Sequence, residues 1–267
     1  MTYSSSPFFV MLFNSMDVYL AIAVRLIGFS MQAPILSHRS IPTLYKICFS
    51  VVVSLLIFFS EIVVDIEYVN SFLGYGTLLL TEFTIGYILG FGVFLFFTTF
   101  YMAGQFIDYQ IGFSMVNVLD PASQIQVPIT GNFLYLGIST IFVVSGAFHV
   151  VLDAFLESYT LIPIGTGNVF GNSVIAYHFI DIMYVFFNLS LLIAIPVVGT
   201  IILVDIALGL LVKTVPQMNV FVVGAPIKLI VGLFIFMFII PNLHTIFESV
   251  FDMIMDSFEV MIRGMSG

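Results

Sequence analysis

Charge is what this sequence has least of. Only 8% of its 267 residues are Asp, Glu, Lys or Arg and 61% are apolar, whereas a soluble domain carries about a quarter charged residues. The shortage excludes a water-facing surface over most of the chain and puts it in the membrane class. Basic residues are scarcer still: six Lys and Arg stand against fifteen Asp and Glu, for a net charge of -9. No basic patch is left to neutralise phosphates, which excludes nucleic acid as a partner. One cysteine, Cys48, sits in the apolar run Leu44 to Phe59 and can make neither an internal disulfide nor a multi-thiolate metal site. Catalytic signatures are missing too. There is no HExxH, no GxSxG elbow and no P-loop, and His149 with Asp153, four apart, are too few for a metal site. The sequence reads as a non-enzyme without a cofactor. The N-terminus lacks the basic start and small-residue cleavage site of a signal peptide, so its first apolar run, which carries Arg25, is expected to be retained as a spanning helix.

What is present is a series of six apolar runs, each near or beyond the ~20 residues that cross a bilayer. They extend from about Phe8 to Met31, Leu44 to Val64, Leu78 to Met102, Phe133 to Leu156, Ile180 to Val212 and Val220 to Ile240. The expected fold is therefore all-α and polytopic, with about six long apolar helices arranged as hairpins. Pro196 removes one backbone donor inside the fifth run and is expected to kink it. Arg39, Lys46, Lys213 and Lys228 flank the odd-numbered loops while Asp65, Glu67 and Glu157 occupy even-numbered ones. The positive-inside rule then puts the odd loops in the cytoplasm and both termini outside.

Three stretches break the apolar pattern. Between Gly104 and Asn132 lie Gln105, Asp108, Gln110, Asn117, Asp120, Gln124 and Gln126, too polar for lipid and too closely interleaved with apolar residues for a solvated loop. Two readings fit: a re-entrant or bore-lining segment, and a surface amphipathic helix broken at Asp120 and Pro121. Further on, Pro216 to Asn219 forms a turn between two apolar helices, with Lys213 and Gln217 beside it. Asp205 and Lys228 fall at nearly equal offsets on its two arms, roughly 17 Å from the turn at 1.5 Å per residue. An unpaired charge at depth costs about 2.5 to 3.5 kcal/mol, which favours their pairing with each other or with a partner subunit; the alternative is that both snorkel to water. After Asn242, Leu243, Ile246, Phe247, Val250, Phe251, Ile254, Met255, Phe258, Met261 and Ile262 keep a helical apolar face opposite Glu248, Asp252, Asp256 and Glu259. This C-terminal amphipathic helix either docks on another protein or packs on its own chain. Small residues at Gly86, Gly90 and Gly92 let another helix approach and supply an assembly signal.

Specific strings go further than composition. APILSHRSIPTLYKI (33–47), GQFIDYQIGFSMVNVLDP (104–121), IQVPITGNFLYL (125–136) and ALGLLVKTVPQMNVFVVGAPIKLIVGL (207–233) resemble the FliR family, the R-type components of the flagellar type III export gate. The T-type components of injectisomes are close relatives of that family. The resemblance implies a protein-conducting role in the bacterial inner membrane, within the flagellar basal body. It implies assembly with P-type and Q-type subunits (FliP, FliQ), the B-type protein (FlhB) wrapping the cytoplasmic mouth, and passage of unfolded rod, hook and filament proteins. It also implies a P-type-like part over residues 1–177 and a Q-type-like hairpin with the C-terminal helix over 178–267, with many apolar helices held above the bilayer plane.

The family's plug maps onto residues 104–123, with Gly112, Phe113, Ser114, Met115, Val116, Asn117 and Val118 as the occluding residues and Gln105, Asp108, Asp120 and Pro121 flanking them. Bulky apolar side chains there would close an idle bore by dewetting. The other reading of the composition, a small-solute transporter or channel, calls for broken helices and an internal repeat, and only the tetrapeptide GFSM at 28–31 and 112–115 recurs.

Overall fold

The computed structural model describes residues 16–34, 42–60, 71–113, 128–167, 173–215, 217 and 219–265. Among these residues every regular element is helical. In chain order they are α1 (Met16–Gln32), α2 (Thr43–Phe59), α3 (Phe72–Ile111), α4 (Ile129–Val144), α5 (Ala147–Leu161), α6 (Ser173–Thr214), α7 (Val220–Ile239), a 3-10 turn (Ile240–Asn242) and α8 (Leu243–Met265).

Three stretches are long and apolar enough to cross a membrane: Phe72–Ile111, Ile175–Thr214 and Val222–Met265, with α4 and α5 as a further bent pair. The 40 residues of α3 extend about 60 Å at 1.5 Å per residue. Tilted by as much as ~40°, such a helix still rises about 46 Å, more than the ~30 Å of hydrocarbon. Part of α3, and likewise of the 42-residue α6, therefore lies outside the lipid tails.

Several expected boundaries shift for identifiable reasons. The third apolar run continues as helix well beyond Met102, so Gly104 to Ile111 is the end of α3 and not part of a re-entrant loop. Hydropathy stops at the first polar residues, but Asp108 is 5% exposed and faces protein. The fourth run is not straight: α4 and α5 meet at 73°. Gly146 has φ 77°, a left-handed backbone that a side chain disfavours, and it follows Ser145 at the end of α4. The fifth run stays one uninterrupted helix through Pro196.

The described residues fall into two compact units built from interleaved stretches of chain. The first comprises the residues up to Phe94, Phe148–Ile182 and those from Met255 on. Here α1 packs on α2 through the Ser30 and Ser50 hydroxyls, 3.0 Å apart, and through Tyr19, whose hydroxyl donates to the Val51 carbonyl at 3.0 Å. The second comprises Leu95–Ala147 and Met183–Ile254. Its core is aromatic: Phe96, Phe97, Phe100, Phe142 and Phe247 are all buried. Their rings meet edge to face, with centroids 5.1 Å apart for Phe97 and Phe142 and 5.4 Å for Phe96 and Phe247, in the geometry that the ring quadrupole favours.

α8 has the amphipathic form expected of it. Leu243, Phe247, Val250, Ile254 and Ile262 are buried within the chain, while Glu248, Asp252, Asp256 and Glu259 are exposed. Its apolar face is thus used internally. On α6 and α7 the opposite holds: Leu203, Ile206, Leu210, Ile230, Phe234 and Met237 are all more than half exposed. Such faces are stable only against lipid or another subunit.

Candidate functional site

Two polar constellations interrupt the apolar helices of the second unit. α3 ends where the Asp108 carbonyl accepts the Gly112 N–H at 3.1 Å and the Phe113 N–H at 3.0 Å. Gly112 has φ 99°, the left-handed turn that closes a helix. Across from it, the Asp108 carboxylate accepts the Thr130 N–H at the start of α4, at 3.0 and 3.2 Å. Gly104, one turn earlier, lies so close to Gly131 that an added methyl would overlap the Gly131 backbone. Gln105 is half-buried on the same helix. Of the residues assigned to the plug and its flanks, Ser114, Met115, Val116, Asn117, Val118, Asp120 and Pro121 lie outside the described residues.

The second constellation joins three helices. The Lys228 ammonium lies 2.5 Å from one Asp205 carboxylate oxygen, and Gln110 donates to the other at 3.5 Å. Asp205 is on α6, Lys228 on α7 and Gln110 on the last turn of α3. The side chains of Lys228 and Asp205 keep 27% and 40% exposure, so the pair is anchored yet reachable from outside the chain. Lys213 occupies the last turn of α6, where a cation complements the helix dipole. Gln217 and Asn219 are exposed at the hairpin turn; Pro216 lies outside the described residues.

This geometry predicts charge coupling. Neutralising Asp205 or Lys228 alone leaves a charge on an apolar face and should lower the amount of folded protein in the membrane, and exchanging the two should recover part of the loss. Yield and thermal midpoint after detergent extraction measure it, and an exchanged variant no better than the worse single variant would count against the pair.

In the first unit the structure adds a cluster that no motif announced. Arg25 and Glu82 are both fully buried, with Arg25 Nε 2.6 Å from Glu82 Oε2. The guanidinium also donates to the carbonyls of Ser158 at 3.1 Å and Ile162 at 2.9 Å, and it lies 4.4 Å over the Tyr159 ring. Glu82 Oε1 accepts the Gly165 N–H at 3.1 Å, and the Tyr159 hydroxyl donates to the Ile22 carbonyl at 3.2 Å. The signal was present in the sequence. Arg25 is the only basic residue of the first apolar run and Glu82 the only charge of the third, and lone opposite charges at depth must find each other. Gly86 and Gly90 line the same helix crossing. The helix that they admit is the chain's own α1, with Gly86 against the Arg25 carbonyl and Gly90 against the Phe29 carbonyl. The assembly signal read from these glycines is thus spent inside the chain.

Long apolar helices, polar groups paired at depth and apolar faces left outward define a polytopic helical membrane protein. The model of the family described as bacterial export proteins, family 1, matches residues 16–254, and the chain belongs to that family. It is similar to the flagellar biosynthetic protein FliR of Bacillus subtilis (strain 168), 29% identical over 246 residues that cover 90% of this chain and 92% of the relative. FliR of Escherichia coli (strain K12) is 25% identical over 245 residues, again 90% and 92%. The surface presentation of antigens protein SpaR of Shigella flexneri is 28% identical over 158 residues, 59% of this chain and 60% of the relative.

Proposed function

We propose that this chain is a core subunit of the flagellar type III protein export gate, working in the inner membrane at the flagellar basal body. The observation that carries this reading is the end-to-end match with flagellar FliR proteins, 90% of this chain against 92% of the relative. SpaR matches over 59% of the chain, which favours the flagellar over the injectisome assignment. The outward apolar faces of α6 and α7 suit assembly with P-type and Q-type subunits, and the exposed hairpin turn at Gln217 and Asn219 suits contact with the B-type protein. Unfolded flagellar proteins are the cargo.

Gly112 to Val118 serve as the plug of the idle bore, with Phe113, Met115, Val116 and Val118 excluding water by bulk and Met adapting to varied surfaces. Support comes from the flanking helices: α3 stops at Ile111 and α4 starts at Ile129, and Asp108 holds those two helix ends together.

The test deletes Phe113 to Val118 and measures membrane potential in cells with and without the P-type and Q-type partners. The expected result is a leak that appears only with the partners, while the complex still assembles. An assembled complex with no added conductance would remove the plug assignment. Failure of the chain to enter any complex with those partners would remove the export reading itself.

A further inference from the structure

The start of α4 has a cap of unusual origin. Its N-cap position is Pro128, which has the extended backbone of an N-cap residue, φ -65° and ψ 121°, but makes no side-chain cap hydrogen bond. A proline side chain has no acceptor to offer. The N–H of Thr130, the second helical residue, is one of the first-turn donors that an N-cap side chain normally satisfies. Here it is satisfied by Asp108, 22 residues earlier and on another helix. The same residue closes α3: its carbonyl takes both the Gly112 and the Phe113 N–H. One turn back, Gly104 and Gly131 bring the two backbones into direct contact, and a methyl on Gly131 would come within 2.8 Å of the Tyr101 carbonyl. That approach is what allows a side chain as short as Asp to reach across.

We propose that Asp108 is a positioning residue, a two-ended clasp that terminates α3 through its backbone and starts α4 through its carboxylate, so that the two helices form one joined frame at the ends of residues 114–127. A cap supplied by residue 128 itself would satisfy the same N–H without joining anything. The use of a distant carboxylate ties the α4 helix start to the α3 helix end. The consequence for ion leakage rests on the plug reading above; the joint itself does not.

The experiment places spin labels at Tyr109 and Ile129, which are 72% and 61% exposed, with the exposed Cys48 replaced by serine, in the complex purified with its partner subunits, and reads their distance distribution from the dipolar broadening of the continuous-wave electron spin resonance spectrum. The parent complex should give one narrow distance. Asp108→Asn keeps an acceptor for the Thr130 N–H and should keep the narrow distance. Asp108→Ala should broaden it. The informative variant is Asp108→Ala with Pro128→Ser, which restores a local cap to α4 but no bridge to α3. Broadening that persists in this double variant supports the clasp, whereas a return to the narrow distance would show that Asp108 is only a cap and overturn the proposal. An unchanged distance in Asp108→Ala would overturn it as well. Should Asp108→Ala fail to assemble, the double variant, with its capped helix, carries the same measurement. Membrane potential is recorded on the same strains: a leak that accompanies broadening supports both readings, and broadening without a leak leaves the clasp standing while removing the plug.

Discussion

Arg25→Met is expected to remove most of the assembled protein from the membrane, and pairing it with Glu82→Leu is expected to bring a substantial part back. Both side chains have no exposure to solvent, and the 2.6 Å contact between them is surrounded by hydrogen bonds that satisfy the remaining polar atoms. Deleting the guanidinium leaves the Glu82 carboxylate buried without a counter-charge. Breaking a buried pair in this one-sided way costs about 3 to 5 kcal/mol, whereas replacing both partners with apolar residues is often neutral. Against a total stability on the order of 5 to 15 kcal/mol, the single substitution is severe.

Recovery in the double variant stays partial. The Ser158 carbonyl keeps a second partner, the Ile162 N–H at 2.9 Å. The Ile162 carbonyl and the Gly165 N–H lose their charged partners, Arg25 and Glu82. The Ile162 carbonyl, on a buried residue, costs about 1 to 3 kcal/mol when left unsatisfied, whereas Gly165 is exposed and its N–H can turn to water. The measurement is the amount and thermal midpoint of the complex after detergent extraction. Equal yields of Arg25→Met and parent, or a double variant no better than the worse single one, would show that the pair does not hold these helices together.

The contrast between this cluster and the Asp205–Lys228 pair explains what was legible in the sequence. Asp205 and Lys228 flank one turn, so counting residues outward from Pro216 to Asn219 was enough to set them at similar depth. Arg25 and Glu82 are 57 positions apart and belong to helices that are not neighbours in sequence, so no count could join them. The same limit applies at Asp108. Its partner, the Thr130 N–H, is a backbone group with no sequence signature, and only the three-dimensional path of α3 and α4 brings the two together. The apolar runs themselves were easy to read, since length and hydropathy are local properties. Their ends were not, because a helix continues wherever its polar residues find protein to bond. α3 runs nine residues past the apolar boundary at Met102, and there Asp108 bonds the start of α4 and Gln110 donates to Asp205. The bend between α4 and α5 had a local sign, Ser145 followed by Gly146, which marks turns in soluble proteins too.

A methyl group on Gly86 is expected to do nearly as much damage as the loss of Arg25, while one on Gly76 of the same helix does none. At Gly86 the added carbon would overlap the carbonyl oxygen of Arg25, a backbone atom that cannot swing aside. On the opposing Gly28 an added carbon would also overlap α3, at the carbonyl of Phe83, and would come within 2.9 Å of the backbone nitrogen of Tyr87. The only relief is to move α1 and α3 apart. Overpacking of this kind costs about 1 to 3 kcal/mol by itself, and here the displacement also stretches the Arg25–Glu82 contact, because Glu82 sits one turn before Gly86 and Arg25 supplies the carbonyl in question. At Gly90 the clash is milder, 2.5 Å to the Phe29 carbonyl. Gly76 has nothing within 4 Å of the added carbon, and alanine there removes up to ~1 kcal/mol of helix penalty. Thermal midpoints of the four purified complexes should therefore fall in the order Gly76→Ala at or above the parent, then Gly90→Ala, then Gly86→Ala. If Gly86→Ala melts with the parent, the close crossing of α1 and α3 is wrong, and with it the packing that keeps Arg25 and Glu82 out of water.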